Sequence, residues 1–79
     1  MKGNKILVTG ASSGIGLAIS KMIAEQGGKV VLISRNEDNL ELAFNSLARA
    51  EHEYYAADVT DQKRISEVIK ESYTKSGSF

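Results

Sequence analysis

Cysteine and proline are absent from this sequence, and histidine occurs once, as His52. Without cysteine the chain has neither a disulfide framework nor a thiolate nucleophile, and one histidine cannot assemble a metal site with its usual neighbouring ligands. We therefore predict no metal site, and we interpret His52 as a solvated loop residue in front of a strand. The absence of proline is consistent with regular helices joined by short loops.

An excess of either charge is also missing, because the formal net charge is +0 at pH 7. Such a chain has no long-range electrostatic field that would attract nucleic acid or an anionic membrane surface. We therefore expect neither of them as a partner.

Long apolar runs are missing as well. The basic start, MKGNK, is followed only by the apolar run Ile6 to Val8, far short of the ~7 to 15 residues of a secretory signal core. No stretch approaches the ~20 apolar residues of a membrane span. We therefore predict a cytoplasmic protein, with room in 79 residues for one small domain whose core is marginal.

The most informative stretch that is present runs from Val8 to Gly16, with the sequence VTGASSGIG. It lies between a short apolar run and an amphipathic run, which predicts a strand that leads through a glycine-rich turn into a helix. Gly10 can adopt the backbone angles of a tight turn, and Gly14 would let a pyrophosphate approach the backbone closely. Free N–H groups and the helix dipole would attract the anion. The same glycines would also serve a plain strand-to-helix turn.

Apolar segments predict strands at residues 5–9, 29–34 and 53–57, the third less apolar and therefore at a sheet edge. Apolar residues at helical spacing predict three helices, with stripes at positions 15, 18, 19, 22 and 23, at 40, 43, 44, 47 and 48, and at 65, 68, 69 and 73. Asn36 and Thr60 are the predicted N-caps of the second and third helices.

This βαβαβα order predicts an α/β fold of the Rossmann-like type: three parallel strands in the order 3-2-1 with three helices, half of a doubly wound sheet. Right-handed crossovers would place the first two helices on one face and the third on the opposite face. Residues 1–79 would then form a partial NAD(P)-binding domain that stops before the fourth strand.

The spacing G-x-x-x-G-x-G differs from the common G-x-G-x-x-G fingerprint and from the P-loop, and no lysine follows Gly16. The string TGASSGIG, preceded by ILV and followed by a helix, resembles the cofactor-binding signature of the short-chain dehydrogenase/reductase family. This resemblance implies that the pyrophosphate and ribose are bound by Gly10, Ser12, Ser13, Gly14, Ile15 and Gly16.

The resemblance also implies contacts with the adenosine half of the cofactor. Arg35 follows the second strand, where NAD-preferring members resemble one another in carrying an acidic residue, and a guanidinium there would favour the 2′-phosphate of NADP. Asp58 and Val59 look like the family's adenine-contacting pair. We therefore expect NADP rather than NAD, although Ser13 stands where NADP-preferring members often have a second basic residue. Arg35 could also be simply solvated, and Asp58 could bond backbone N–H groups in the next turn.

The catalytic part of the family pattern is missing. The family uses Y-x-x-x-K, whereas the fourth residues after Tyr54, Tyr55 and Tyr73 are Asp58, Val59 and Gly77. The Asn-Asn-Ala-Gly segment is missing too, so we identify no catalytic residue. The resemblance predicts the NADP-binding amino-terminal part of an oxidoreductase that transfers hydride between cofactor and a carbonyl or alcohol. The alternatives are a non-catalytic adenine-nucleotide module and a partner-completed fragment. The open edge of the first strand predicts self-association.

Overall fold

The computed structural model of the protein describes residues 4–10, 14–47, 51–77 and 79. Strands and helices alternate along the chain: β1 (Lys5–Thr9), α1 (Gly14–Glu25), β2 (Lys29–Ser34), α2 (Glu37–Asn45), β3 (Glu53–Ala56) and α3 (Gln62–Ser76). The strands pair in parallel in the order β1-β2-β3. This arrangement confirms the predicted fold class and strand order.

The central strand β2 has buried side chains on both faces of the sheet. Its even-numbered residues Val30 and Leu32 pack in a cluster with α1 and α2, to which Ile23, Ala24, Leu40, Ala43 and Leu47 contribute. Its odd-numbered residues Val31 and Ile33 pack instead with Tyr55, Ala57 and Val68. Hence α1 and α2 cover one face and α3 covers the other, as right-handed crossovers predict.

The helix α1 is confirmed, but its buried face differs from the predicted stripe. Its buried residues are Ser20, Ile23 and Ala24, whereas Ile15, Ile19 and Met22 are 79%, 44% and 59% exposed. Ser20 can be buried because its hydroxyl donates to the carbonyl of Gly16 at 2.8 Å. A polar residue is therefore part of the packed face, and four apolar residues of the predicted stripe, Ile15, Ala18, Ile19 and Met22, lie outside it.

The two predicted N-caps have different outcomes. Asn36 caps α2, since its side-chain oxygen accepts from the N–H of Asn39 at 3.0 Å. Thr60 does not cap α3: the cap is Asp61, whose carboxylate accepts from the N–H of Arg64 at 3.1 Å. The hydroxyl of Thr60 donates to Asp58 instead, at 2.7 Å.

The buried face of α3 contains Val68 and Ser72, with Ile65 half-buried against the core. Ile69 and Tyr73, which belong to the predicted stripe, are 41% and 59% exposed. Of the second predicted stripe, Leu40 and Ala43 in α2 and Leu47, two residues beyond its end, are buried, and Ala48 lies outside the described residues. The third strand ends one residue earlier than predicted, at Ala56.

His52 is not the solvated loop residue that the sequence predicts. Only 8% of its surface is exposed, and its Nδ1 accepts a hydrogen bond from the backbone N–H of Val30 at 3.0 Å. The imidazole thus supplies an acceptor to β2 just before β3 begins. This pairing satisfies a buried backbone donor that would otherwise destabilise the sheet.

Candidate functional site

The carboxyl ends of the three strands open into a cavity of about 630 Å³. Each strand contributes to it, because the lining comes from the residue after β1, the end of β2 and the turn between β3 and α3. The lining residues are Gly10, Ser34, Arg35, Ala57, Asp58, Val59 and Thr60. In open α/β sheets this is the end at which ligands bind.

The glycine turn has the backbone that the sequence predicts at its two ends. Gly10 and Gly14 adopt φ angles of 63° and 59°, in the left-handed region that glycine tolerates without strain. Among the described residues, a Cβ built on Gly14 would meet nothing within 4 Å, so none of them blocks an incoming group from that backbone. Ser12 and Ser13 lie outside the described residues.

Gly14, Ile15 and Gly16 form the first turn of α1. The N–H groups in such a turn have no partner within the helix, and the positive end of the helix dipole lies there. The side chain of Ile15 is exposed to solvent at this turn. None of these three is among the described residues that line the cavity.

Arg35 and Asp58 face each other across the cavity, with 4.0 Å between the guanidinium Nη1 and the carboxylate Oδ2. Their side chains are 80% and 45% exposed. An exposed pair at this distance holds its partners weakly. The guanidinium of Arg35 is therefore free to turn toward an anion that enters the cavity.

Asp58 is held from its other side by Thr60. Its Oδ1 accepts from the backbone N–H of Thr60 at 2.9 Å and from the hydroxyl of Thr60 at 2.7 Å. The backbone bond, then the hydroxyl bond and the charge of Arg35 lower the pKa of the Asp58 carboxyl. The carboxylate is therefore ionised at neutral pH. It accepts from a backbone N–H group in the turn before α3, as the alternative interpretation of Asp58 predicts.

Three residues that line the cavity, Ser34, Ala57 and Thr60, are not among the predicted site residues. Ser34 closes β2, and Thr60 was assigned to a helix cap, yet both contribute polar side chains to the cavity. Their position is the signal that could have found them, since the last residue of a parallel strand and the loop that follows the strand lie at the ligand end of the sheet.

Within the described ranges, no three or more acidic, histidine or cysteine side chains are grouped so that they could hold a metal ion. None of the helices in those ranges has the length and apolar character needed to cross a membrane. The cytoplasmic location stays a prediction.

A parallel β1-β2-β3 sheet, a glycine turn after its first strand and a polar cavity at the strand ends together define the nucleotide-binding half of a Rossmann-like protein. Comparison with known families makes this class more specific. The chain belongs to the short chain dehydrogenase family, whose profile matches residues 4–79.

Similar proteins agree with this membership. An uncharacterized oxidoreductase of Staphylococcus aureus strain MRSA252 is 45% identical over 64 residues, which cover 81% of this chain and 28% of that protein. An uncharacterized oxidoreductase of Bacillus subtilis strain 168 is 36% identical, and the match covers 100% of this chain and 23% of that protein. The chain therefore spans about a quarter of the length of these relatives.

Solved structures show the same fold. L-sorbose reductase from Gluconobacter frateurii, complexed with NADPH and L-sorbose, matches with a TM-score of 0.91 and 32% identity, over 99% of this chain and 31% of that one. A metagenomic short-chain oxidoreductase in complex with NADP matches with a TM-score of 0.88 and 29% identity, over 96% and 35% of the two chains.

Proposed function

We propose that this chain is the NADP-binding amino-terminal part of a short-chain dehydrogenase/reductase-type oxidoreductase. The observation that carries the proposal is that Gly10, Arg35 and the pair Asp58-Val59, which come from three separate segments of the chain, line one cavity. Similar structures that contain NADP or NADPH support the choice of cofactor. In this proposal residues 1–79 are a partial NAD(P)-binding domain that precedes the remaining strands of the sheet.

The pyrophosphate and its neighbouring ribose would lie on the glycine turn. Open access to the backbone of Gly14 and the free N–H groups of the first turn of α1 support this placement. The residues proposed to bind this part of the cofactor are Gly10, Ser12, Ser13, Gly14, Ile15 and Gly16.

The adenosine half would lie in the cavity itself. The guanidinium of Arg35 would leave Asp58 and pair with the 2′-phosphate, because a phosphate offers it two charge-assisted hydrogen bonds in place of one long contact. The side chain of Val59, 52% exposed, offers an apolar surface to the adenine ring. Asp58 would accept from the adenine amino group while Thr60 keeps it in place.

In the complete enzyme, hydride would pass between the nicotinamide and a carbonyl or alcohol substrate. We propose that the 79-residue chain alone does not catalyse this step. Its tyrosines lack a lysine four residues later, and burial together with the hydrogen bond to Glu53 raises the pKa of the Tyr55 hydroxyl. A hydroxyl with a raised pKa is a poor proton donor at neutral pH.

Calorimetric titration with NADPH, NADH and ATP tests the cofactor assignment. Arg35→Gln should weaken NADPH binding by about tenfold or more, because a hydrogen bond to a charged group contributes about 1.5 to 3 kcal/mol. The same substitution should leave NADH binding nearly unchanged. Lys21→Gln, which removes one exposed positive charge on α1, is the matched control and should change neither affinity.

Two results would count against this assignment. Equal binding of ATP and NADPH by the unaltered chain would favour a non-catalytic adenine-nucleotide module. An equal loss of NADH and NADPH affinity in Arg35→Gln would mean that Arg35 does not contact the 2′-phosphate. The assignment to an enzyme is tested by the reading frame downstream of Phe79, which we expect to encode an NNAG segment and a Y-x-x-x-K motif.

We also propose that the chain self-associates through the edge of β1. Within the described residues β1 is hydrogen-bonded to a single strand, β2. Exposed apolar side chains are present on the helices of both faces: Met22 on α1, which packs on β1 and β2, and Ile69 on α3, which lines a cavity together with Ile6 and Leu7. An open edge with apolar flanks favours pairing with a further strand.

A further inference from the structure

A second cluster of polar side chains lies at the opposite end of the sheet, where the strands begin. Lys5 is the first residue of β1 and Glu53 is the first residue of β3. Their side chains are only 2% and 7% exposed, and Lys5 Nζ lies 3.5 Å from Glu53 Oε2. Two buried charges in a small domain are costly unless other groups satisfy them.

The ammonium group of Lys5 is satisfied mainly by the end of α3. It donates to the carbonyl of Ser72 at 2.7 Å and to the carbonyl of Gly77 at 3.0 Å. Carbonyls near the end of a helix lie at the negative end of its dipole, where a positive charge is stabilising. Lys5 therefore stabilises the end of a helix that is 67 residues away in sequence.

The carboxylate of Glu53 binds the same helix end. Its Oε1 accepts from the Tyr55 hydroxyl at 2.8 Å, and its Oε2, which faces Lys5, accepts from the hydroxyl of Ser76. Ser76 is the last residue of α3. Glu53 thus neutralises Lys5 and holds α3 through a contact of its own.

Lys5 also touches the chain that leaves α3. Gly77 has a φ of 91°, and beyond it the ring of Phe79 lies with its centroid 4.7 Å from Lys5 Nζ. Phe79 closes one side of an apolar cavity of about 460 Å³ beside β1, whose other lining residues are Lys5, Ile6, Leu7 and Ile69. A cation over an aromatic face attracts the ring.

We propose that Lys5 and Glu53 form a buried clamp that fixes the carboxyl end of α3 and seats Phe79 against β1. The clamp acts at the start of the sheet, at the opposite end from the proposed cofactor site. It couples three elements that share no helix or strand hydrogen bonds with one another: β1 through Lys5, β3 through Glu53, and α3 through Ser72, Ser76 and Gly77.

Carboxypeptidase A, which removes exposed carboxyl-terminal aromatic residues, tests the clamp on the 79-residue chain. Lys5→Met keeps the length of the side chain and removes the ammonium, and it should speed the release of Phe79 by about tenfold or more, as expected for loss of hydrogen bonds to a charged group. Glu53→Gln should also speed release, and Lys5→Arg, which retains donors, should restore most of the protection.

Lys29→Met is the matched control. Lys29 Nζ lies the same 3.5 Å from Glu51 Oε2, but its side chain and that of Glu51 are 36% and 72% exposed. Release of Phe79 from Lys29→Met should proceed at the rate of the unaltered chain. Equal release rates for Lys5→Met and the unaltered chain, or equal acceleration by Lys29→Met, would overturn the proposal.

A measurement on the unaltered chain covers the case in which Lys5→Met does not fold. Proton NMR should show nuclear Overhauser contacts from the Phe79 ring to the side chain of Lys5. The amide N–H of Gly77, which donates to the Tyr73 carbonyl at 2.8 Å, should be protected from hydrogen exchange. An unprotected Gly77 amide together with no ring contacts would also overturn the clamp.

Discussion

Glu53 keeps its negative charge in a place from which most water is excluded. Burial by itself would raise the pKa of this carboxyl, but the hydrogen bonds from Ser76 and Tyr55 and the charge of Lys5 together hold the pKa below its ordinary value of 4.5. In the unfolded chain these partners are lost. The unfolded state therefore binds a proton at a higher pH than the folded state does.

The sign of the resulting pH dependence follows from this lowered pKa. The contribution of Glu53 to the free energy of unfolding should be fully present above its ordinary pKa of 4.5 and should be lost as the pH falls through the folded-state pKa. Urea unfolding between neutral pH and about pH 3 measures it. Glu53→Gln should flatten the acid decline, whereas Glu51→Gln, at an exposed position, should leave it. An unchanged decline in Glu53→Gln would contradict the prediction.

The burial of His52 could not be predicted from the sequence. Its neighbours in the sequence are polar, and these predict a solvated loop. The fact that decides its position is a bond to Val30 on the neighbouring strand, 22 residues away in sequence. A buried imidazole that accepts from another strand leaves no local pattern. Asp58 was different, because its bonds to Thr60 are local, and the sequence predicted that turn correctly as one of two interpretations.

At the level of single elements, substitutions at the start of α3 distinguish the two candidate N-caps, Thr60 and Asp61. Asp61→Ala should lower the free energy of unfolding by about 1 kcal/mol, because the N–H of Arg64 loses its side-chain acceptor. It should also speed hydrogen exchange at the Arg64 amide. Thr60→Val leaves Asp61 in place and should not change that exchange rate. If Thr60→Val alone exposed the Arg64 amide, the cap predicted from the sequence would be the right one.

The positions of the strands and helices could be predicted from the sequence, because short apolar segments and apolar residues at helical spacing are both local features. The buried face of α1 was not accessible in the same way. The apolar count favoured Ile15, Ile19 and Met22, but Ser20 packs inward because its hydroxyl is satisfied within its own helix. A hydrophobic pattern shows that such a residue is polar, but it does not show the hydrogen bond that allows the residue to be buried.

At the scale of the whole molecule, the open edge of β1 makes the oligomeric state testable. Met22→Lys places a charge on the exposed apolar face of α1 and should weaken self-association by about tenfold or more, because the association would then have to bury an unpaired charge. Leu42→Lys changes a 70% exposed residue of α2, which packs on β2 and β3, and should have no effect. Sedimentation velocity over a range of concentrations makes the measurement. A sharp monomer in the unaltered chain would sink the proposal.

The sequence could predict that the residues of the candidate site lie close together, because the topology of the sheet requires it. Once the sequence indicates three parallel strands, the residues that follow them must meet at one edge of the sheet, and Gly10, Arg35 and Asp58 do so. The distances between these side chains and their hydrogen-bond and ion-pair partners could not be predicted. The pairing of Arg35 with Asp58 depends on side-chain directions in two loops, which spacing along the chain does not specify.

That pairing has a kinetic consequence for ligand capture. Arg35 carries its own counterion in Asp58, 4.0 Å away, and the whole chain has a net charge of +0. The pair therefore projects little electrostatic field beyond a Debye length of about 8 Å at physiological salt. A phosphate-bearing ligand would meet the guanidinium only on contact and exchange one counterion for another. The rate of association should then depend only weakly on salt, and discrimination between ligands should reside in how slowly they leave.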